Sequence, residues 1–290
     1  MNIPTDVARW RGEPGGVEWL DRLPALVAEC AERWSLEVGE PFQDSSVSWV
    51  APVRRHGGPA VLKLNFPEPE SEHEAGALAH WGGEGAVGLL EHDPERGALL
   101  VERCEPGSTL WRIPDEREAN RIAAGVLRRL WRPPPDGHAF RLLAGEAARW
   151  AEELWPAWER AGRPYERALL DEAVAFLQEA GPAQGEPVVL HQDFHGGNVL
   201  RAAREPWLAI DPKPLVGERE LDTASLLRDR RRELRAEPHP ERRIERRLDQ
   251  LAADLGLDRE RMRGWGIAHA LAWDPDEDML ACARWLAAAR

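Results

Sequence analysis

The spacing of apolar positions changes along the chain, and each change marks an expected element. Val17, Leu20, Leu23, Leu26, Val27 and Trp34 recur at helical spacing, which predicts an amphipathic helix over 15–34. The period then shortens. Three strands are expected at 36–42, 47–54 and 59–66, separated by the polar turn Gln43-Asp44-Ser45-Ser46 and the hairpin turn His56-Gly57-Gly58. A helix is expected over 70–81, then two strands at 86–92 and 97–103 around Asp93-Pro94-Glu95-Arg96. From 115 to 180 the pattern is helical. Ile122, Val126 and Leu130 share one face. Leu142, Ala147, Trp150 and Leu154 continue it beyond the break Pro133-Pro134-Pro135-Asp136-Gly137. Another apolar helix is expected over 169–177. Tryptophans are read mainly as core anchors, with Trp111, Trp131, Trp155 and Trp158 as candidates to line a substrate cleft.

The segment 186–216 carries the densest chemistry. A short apolar strand at 188–190 delivers His191, Asp193 and Asn198 into a loop, and a second apolar run at 207–210 ends at Asp211. Asp193 and Asn198 are close enough in sequence for one tight loop to present both. Pairing of the two apolar runs as a hairpin-like unit would bring Asp211 beside them. Two acids and an amide are oxygen donors, which suit a hard cation such as Mg²⁺.

Composition narrows the function classes. The chain has 290 residues, 43% hydrophobic and 31% charged, enough for a sizeable core and two sub-domains. No apolar stretch approaches a membrane span, and the first residues lack the basic start and apolar run of a signal peptide. A cytoplasmic protein is therefore expected. Cys30, Cys104 and Cys282 are scattered and read as reduced thiols. The net charge of −13 argues against nucleic-acid binding and is compatible with a cationic small molecule. The arginine-rich stretch 228–247 reads as a solvated helical face with i,i+4 ion pairs rather than a nucleic-acid patch. Asp274, Asp276, Glu277 and Asp278 read equally as a solvent loop or as contacts for ammonium or guanidinium groups. Only two of the 38 basic residues are lysines, Lys63 and Lys213. Lysine kept against such a bias suits sites needing a compact point charge.

The string His191-Gln192-Asp193-Phe194-His195-Gly196-Gly197-Asn198, followed by Trp207-Leu208-Ala209-Ile210-Asp211-Pro212-Lys213, resembles the catalytic and metal loops of kinases. More narrowly it resembles the aminoglycoside phosphotransferase family, in its streptomycin and hydroxyurea kinase branch. The resemblance implies an α+β, protein-kinase-like bilobal fold, with a small antiparallel-sheet lobe at 1–103 and a larger, mainly helical lobe at 104–290. It also implies an ATP- and Mg²⁺-dependent phosphotransferase acting on an alcohol group, with ATP between the lobes and an aminoglycoside such as streptomycin as the acceptor. The quaternary state expected is a monomer or weak dimer. By the same resemblance Asp193 is the catalytic base, and Asn198 and Asp211 hold the metal. Lys63 holds phosphates and is paired with Glu74, with Glu72 as competitor. The adenine lies against the backbone of Glu102, Arg103 and Cys104, and the first polar turn covers the phosphates with backbone and serine donors. His191, His195, Lys213 and Asp222 are left as substrate contacts or loop supports, Asp222 bracing the loop through backbone hydrogen bonds. Gln192 and Pro214 stand where glycines are common in the family, and Pro214 leaves the acceptor unfixed by the motif. Other readings are a kinase of another sugar or metabolite, a metal-dependent hydrolase using His191, Asp193 and His195, and a catalytically silent kinase-like binding protein.

Overall fold

The computed structural model describes residues 2–43, 45, 47–273 and 275–289. The chain divides into two compact units, residues 1–107 with 202–208, and residues 108–201 with 209–290.

The first unit is built on a five-stranded antiparallel sheet. Helix α1 (Gly16–Trp34) precedes β1 (Leu36–Val38), β2 (Ser48–Arg55) and β3 (Gly58–Asn65). Helix α2 (Glu74–Trp81) and strands β4 (Leu89–Asp93) and β5 (Ala98–Glu102) follow, and the sheet order is β1-β2-β3-β5-β4. The β2–β3 hairpin closes on Arg55 paired with Gly58, through His56 and Gly57 at φ 50° and 80°. Such left-handed pairs make the two-residue turn that matches strand twist. Leu20, Leu23, Leu26 and Trp34 of α1 pack with Trp49, Leu62 and Leu64 of the sheet into one core. Trp10 stacks on Phe66 at 4.1 Å between ring centres, closing the core at its edge. The helix expected from residue 70 starts only at Glu74. Ser71 donates to the Phe66 and Glu68 carbonyls at 3.2 Å, which satisfies that backbone in turns instead.

The second unit is mainly helical. Its helices are α3 (Glu116–Leu130), α4 (Leu143–Arg160), α5 (Arg167–Ala180), α6 (Thr223–Leu227), α7 (Arg231–Arg235), α8 (Pro240–Leu255), α9 (Arg259–Ala272) and α10 (Glu277–Ala288). Strand β6 (Arg141–Leu142) precedes α4, and β7 (Val188–Leu190), β8 (Val199–Arg201) and β10 (Leu215–Gly217) follow α5; β9 (Trp207–Ala209) has its first two residues in the first unit.

Two expectations are corrected here. Leu142 does not lie on a buried helical face: it is 54% exposed and belongs to β6, while Leu143 is fully buried and starts α4. The buried row is therefore Leu143, Ala147, Trp150 and Leu154, at i, i+4, i+7 and i+11, the proper phase for one helix face. The apolar runs at 188–190 and 207–210 do not pair either. β7 pairs antiparallel with β10, and β8 pairs with β9. A three-residue strand cannot select its partner by pattern alone. Here β7 and β10 are buried along their whole length, which favours their pairing inside the second unit.

The arginine-rich stretch departs from a solvated face. Arg247 and Arg228 are buried, and Glu116 on α3 accepts from Arg243 at 2.5 Å and from Arg247 at 2.8 Å. The partners sit on another helix, so local i,i+4 spacing did not reveal them. Among the described residues no helix is long and apolar enough to cross a membrane.

Candidate active site

In the first unit Lys63 lies mid-strand on β3, opposite Val50 and Leu99, and is 6% exposed. Its Nζ donates to Glu74 Oε1 and Oε2 at 2.7 and 2.8 Å. Glu74 opens α2 and is 2% exposed, whereas the Glu72 side chain is 67% exposed beside His73. The partner of Lys63 is therefore Glu74. Asn65 adds a third donor to Glu74, at 2.8 Å, and itself accepts from Ser48 Oγ at 2.6 Å. Asn65 follows Lys63 by two positions, so the period of the strand puts both on one face. That signal was available in the sequence. Ser48 carried none, because its register with β3 is a tertiary fact.

The segment expected to hold adenine continues β5. Glu102 accepts from Gly88 N at 2.9 Å and from Arg204 at 2.8 and 2.9 Å. Burial works to raise the Glu102 pKa, but these bonds outweigh it and hold the carboxyl below its ordinary range. Burial, then the Glu102 charge, push the Cys104 thiol up to about 12. Arg103 is ion-paired loosely, at 3.9 Å, with Glu105. In the turn expected to cover phosphates, Ser45 Oγ donates to the Ser48 carbonyl at 2.5 Å, while Asp44 and Ser46 lie outside the described residues.

In the second unit the loop after β7 is fixed from beneath by Asp222. This fully buried carboxylate accepts from His191 N (3.1 Å), Gln192 N (2.7 Å) and Trp131 Nε1 (2.9 Å). Burial nevertheless pushes its pKa up to about 6 against those donors. His191 is buried below the loop, its Nε2 2.9 Å from the Ile210 carbonyl, and burial lowers its pKa to about 4. Asn198 Nδ2 donates to the Asp193 carbonyl at 3.0 Å, with a long 3.5 Å contact to the Asp193 carboxylate. Ile210 N donates to the Asn198 carbonyl at 2.9 Å, so the β8–β9 hairpin carries Asp211 to the Asn198 loop. Asp211 has a left-handed φ of 58°, which an aspartate tolerates better than most side chains. Lys213 is buried; its N donates to the His191 carbonyl at 3.0 Å and its Nζ lies 3.9 Å from Asp211 Oδ1. His195 Nδ1 accepts from Gly197 N at 3.0 Å, and Nε2 lies 3.8 Å from Asp193 Oδ1.

The loop is also fixed from outside, by residues the motif did not name. Asp229 Oδ2 accepts from Gly196 N at 2.9 Å, and Asp229 Oδ1 accepts from Trp111 Nε1 at 2.5 Å. Of the other candidate tryptophans, Trp131 is spent on Asp222, while Trp155 and Trp158 pack edge to face at 5.7 Å. The acidic residues near the C-terminus are engaged locally. Asp276 caps α10, and Glu277 and Asp278 accept from Arg235 at 3.2 and 2.7 Å; Asp274 lies outside the described residues. Among the described residues no three His, Cys, Asp or Glu side chains are grouped to hold a metal.

Comparison with known proteins converges on one family. The profile of the aminoglycoside/hydroxyurea antibiotic resistance kinases matches residues 33–274. A streptomycin 6-kinase of Streptomyces griseus is 38% identical, over 98% of this chain and 94% of that protein. A hydroxyurea phosphotransferase of Kitasatospora aureofaciens is also 38% identical, over 97% and 82%. Among solved structures, an aminoglycoside phosphotransferase in ternary complex with ADP and hygromycin B superposes with a TM-score of 0.60 at 17% identity, covering 90% of this chain and 96% of that one. A choline kinase from Streptococcus pneumoniae gives 0.61 at 13% identity, covering 91% and 98%. These likenesses identify the fold as kinase-like, bilobal α+β. With the Asp193–Asn198 loop, the Lys63–Glu74 pair and a profile match over most of its length, the chain belongs to the aminoglycoside/hydroxyurea antibiotic resistance kinase family.

Proposed function

We propose that this protein transfers the γ-phosphoryl group of ATP to a hydroxyl of a small cationic acceptor, an aminoglycoside such as streptomycin. The observation that carries the reading is the loop in which Asn198 is bonded to Asp193 while the Ile210–Asn198 bond delivers Asp211. Asp193 orients the acceptor hydroxyl and takes its proton as the hydroxyl oxygen bonds to the γ-phosphorus and the bond to ADP breaks. Asn198 turns its amide nitrogen to Asp193, which directs its oxygen the other way. That oxygen and the Asp211 carboxylate are hard donors suited to Mg²⁺. When bound, the ion neutralises phosphate charge. Lys63, held by Glu74, supplies a point charge to the phosphates, and the backbone at Glu102, Arg103 and Cys104 receives the adenine. His191 and Asp222 support the loop from below. Lys213 meets phosphate or acceptor, and His195 holds Asp193. The net charge of −13 favours cationic acceptors, and the three free cysteines fit a cytoplasmic protein, taken here as a monomer or weak dimer.

The test is incubation with ATP, Mg²⁺ and streptomycin followed by mass spectrometry. A gain of about 80 Da on the drug is expected, and Asp193→Ala abolishes it while ATP still binds. A variant with near-normal turnover would remove Asp193 from the role of base. An unmodified drug with the wild-type protein would remove streptomycin as acceptor.

A further inference from the structure

Trp111 is the large apolar side chain that the fold leaves most open beside the Asp193 loop, at 47% exposure. Its indole stacks on the His195 ring, 5.4 Å between centres and 12° from parallel. The same indole covers the glycine pair of the loop. A Cβ on Gly196 would come within 2.7 Å of Trp111 Cδ1, and one on Gly197 within 2.6 Å of Trp111 Cη2. An aromatic ring has two faces, and one of these is taken by His195 and the glycine backbone. The other face has no ring stacked on it among the described residues.

The ring is held with its position fixed. Asp229 accepts the indole N–H and also takes the Arg230 and Gly196 backbone N–H groups, at 3.0 and 2.9 Å. Arg230 donates to the Trp111 and Ile113 carbonyls at 3.3 and 2.6 Å, from a left-handed φ of 56°. A strained, bonded clamp of this kind is costly, and such strain collects at functional positions. A carboxylate on the indole N–H also pushes electron density into the ring, which strengthens its negative face toward a cation.

We infer that Trp111, held by Asp229, is the platform on which a guanidinium or ammonium group of the acceptor rests while its hydroxyl reaches Asp193. The inference rests on the phosphotransferase reading above and names the acceptor class of that same loop. The spacing is suitable: Trp111 is one ring removed from His195, whose Nε2 is 3.8 Å from the Asp193 carboxylate. A cation over the open face therefore anchors one end of an extended acceptor, whose reacting hydroxyl lies beyond His195 at the base.

The experiment compares the wild-type chain with Trp111→Ala and Trp111→Phe, using streptomycin, whose guanidinium groups are permanent cations. Phosphorylation kinetics are measured with ATP and Mg²⁺, and streptomycin binding is measured by calorimetry. The expected result is a rise in KM and in Kd of about tenfold for Trp111→Ala, the scale of one cation–π contact, with a much smaller change in kcat. Trp111→Phe keeps an aromatic face but loses the bond to Asp229 and is expected to recover only part of the affinity. A merely structural role would lower kcat and melting temperature together and would not be rescued by phenylalanine. If streptomycin is phosphorylated with the same KM by Trp111→Ala, the platform is overturned and the phosphotransferase reading stands. If the wild type binds streptomycin without phosphorylating it, and Trp111→Ala loses the binding, the platform stands and the acceptor reading falls. If the wild type does neither, both fall.

Discussion

Gln192 occupies a backbone conformation that suits glycine. Its φ is 65°, its side chain is 2% exposed, and its Oε1 has no hydrogen-bond partner among the described residues. A left-handed non-glycine residue costs about 1–2 kcal/mol, and an unmet buried acceptor adds about 1–3 kcal/mol. Glycine's extra freedom in the unfolded chain takes back about 0.5–1 kcal/mol. Gln192→Gly is therefore expected to raise stability by about 1–4 kcal/mol, read as a higher urea midpoint at constant m; a lower midpoint would show that the side chain contributes packing that outweighs the strain. Lys63 leads to the opposite kind of prediction. Its ammonium sits 2.7 and 2.8 Å from the two oxygens of one buried carboxylate. A guanidinium is longer and planar, and does not fit where a point charge is cradled. Lys63→Arg is expected to lose about 100-fold or more in kcat/KM despite its unchanged charge. Full activity in a steady-state assay would remove the point-charge argument.

At the scale of elements, Arg247 ties three helices together. From α8 it donates to Glu116 on α3 at 2.8 Å, to the Leu226 and Leu227 carbonyls at the end of α6, and to the Asp229 carbonyl. Those carbonyls are the acceptors that a helix end leaves without partners. Burial works against the Glu116 charge, but Arg247 and Arg243 prevail and hold its pKa below the ordinary value. Removing Arg247 leaves the half-buried Glu116 to Arg243 alone and unpairs the carbonyls that Arg247 caps. Arg247→Met should cost about 3 kcal/mol, seen in urea unfolding. Because Asp229 carries both Gly196 N and Trp111, it should also weaken acceptor binding. A loss of stability below about 0.5 kcal/mol, the ordinary range for a surface change, would show the network to be redundant. None of this could be read from charge spacing along α8. The run of arginines looks like a solvated face until α3 supplies Glu116.

For the whole molecule, buried titratable groups set the response to acid. His191 is kept neutral down to about pH 4 by burial, whereas unfolded it protonates near 6.5. Across that window the unfolded chain holds more protons, so stability falls as pH falls. Asp222 has the opposite sign. Burial lifts it to about 6 from 3.8, so between those values the folded chain holds the extra proton and stability rises as pH falls. The two nearly offset each other. His269 decides the balance. Burial first, and then the Arg228 guanidinium 2.8 Å from its Nδ1, push its pKa well below 6.5. The protein is therefore expected to be less stable at pH 5 than at pH 7, by urea midpoint. His269→Gln should flatten that slope while lowering the pH 7 value. An unaltered slope would assign the acid response to other groups.

The sequence by itself determined what local chemistry can encode. The change from helical to alternating period announced α1 and the first sheet, and the spacing of His191, Asp193, Asn198 and Asp211 announced the loop and the family. Lys63 stood out as one of two lysines, and Glu74 followed from the resemblance. Tertiary structure decided which strands pair and which distant side chains meet. Short, fully buried strands such as β7 and β10 carry no alternation to set their partner or register. The clamps on the loop, Asp222 from below and Asp229 with Trp111 from outside, join residues about 30 to 120 positions apart in sequence. Contacts at that separation depend on loop closure and packing, which no local pattern records.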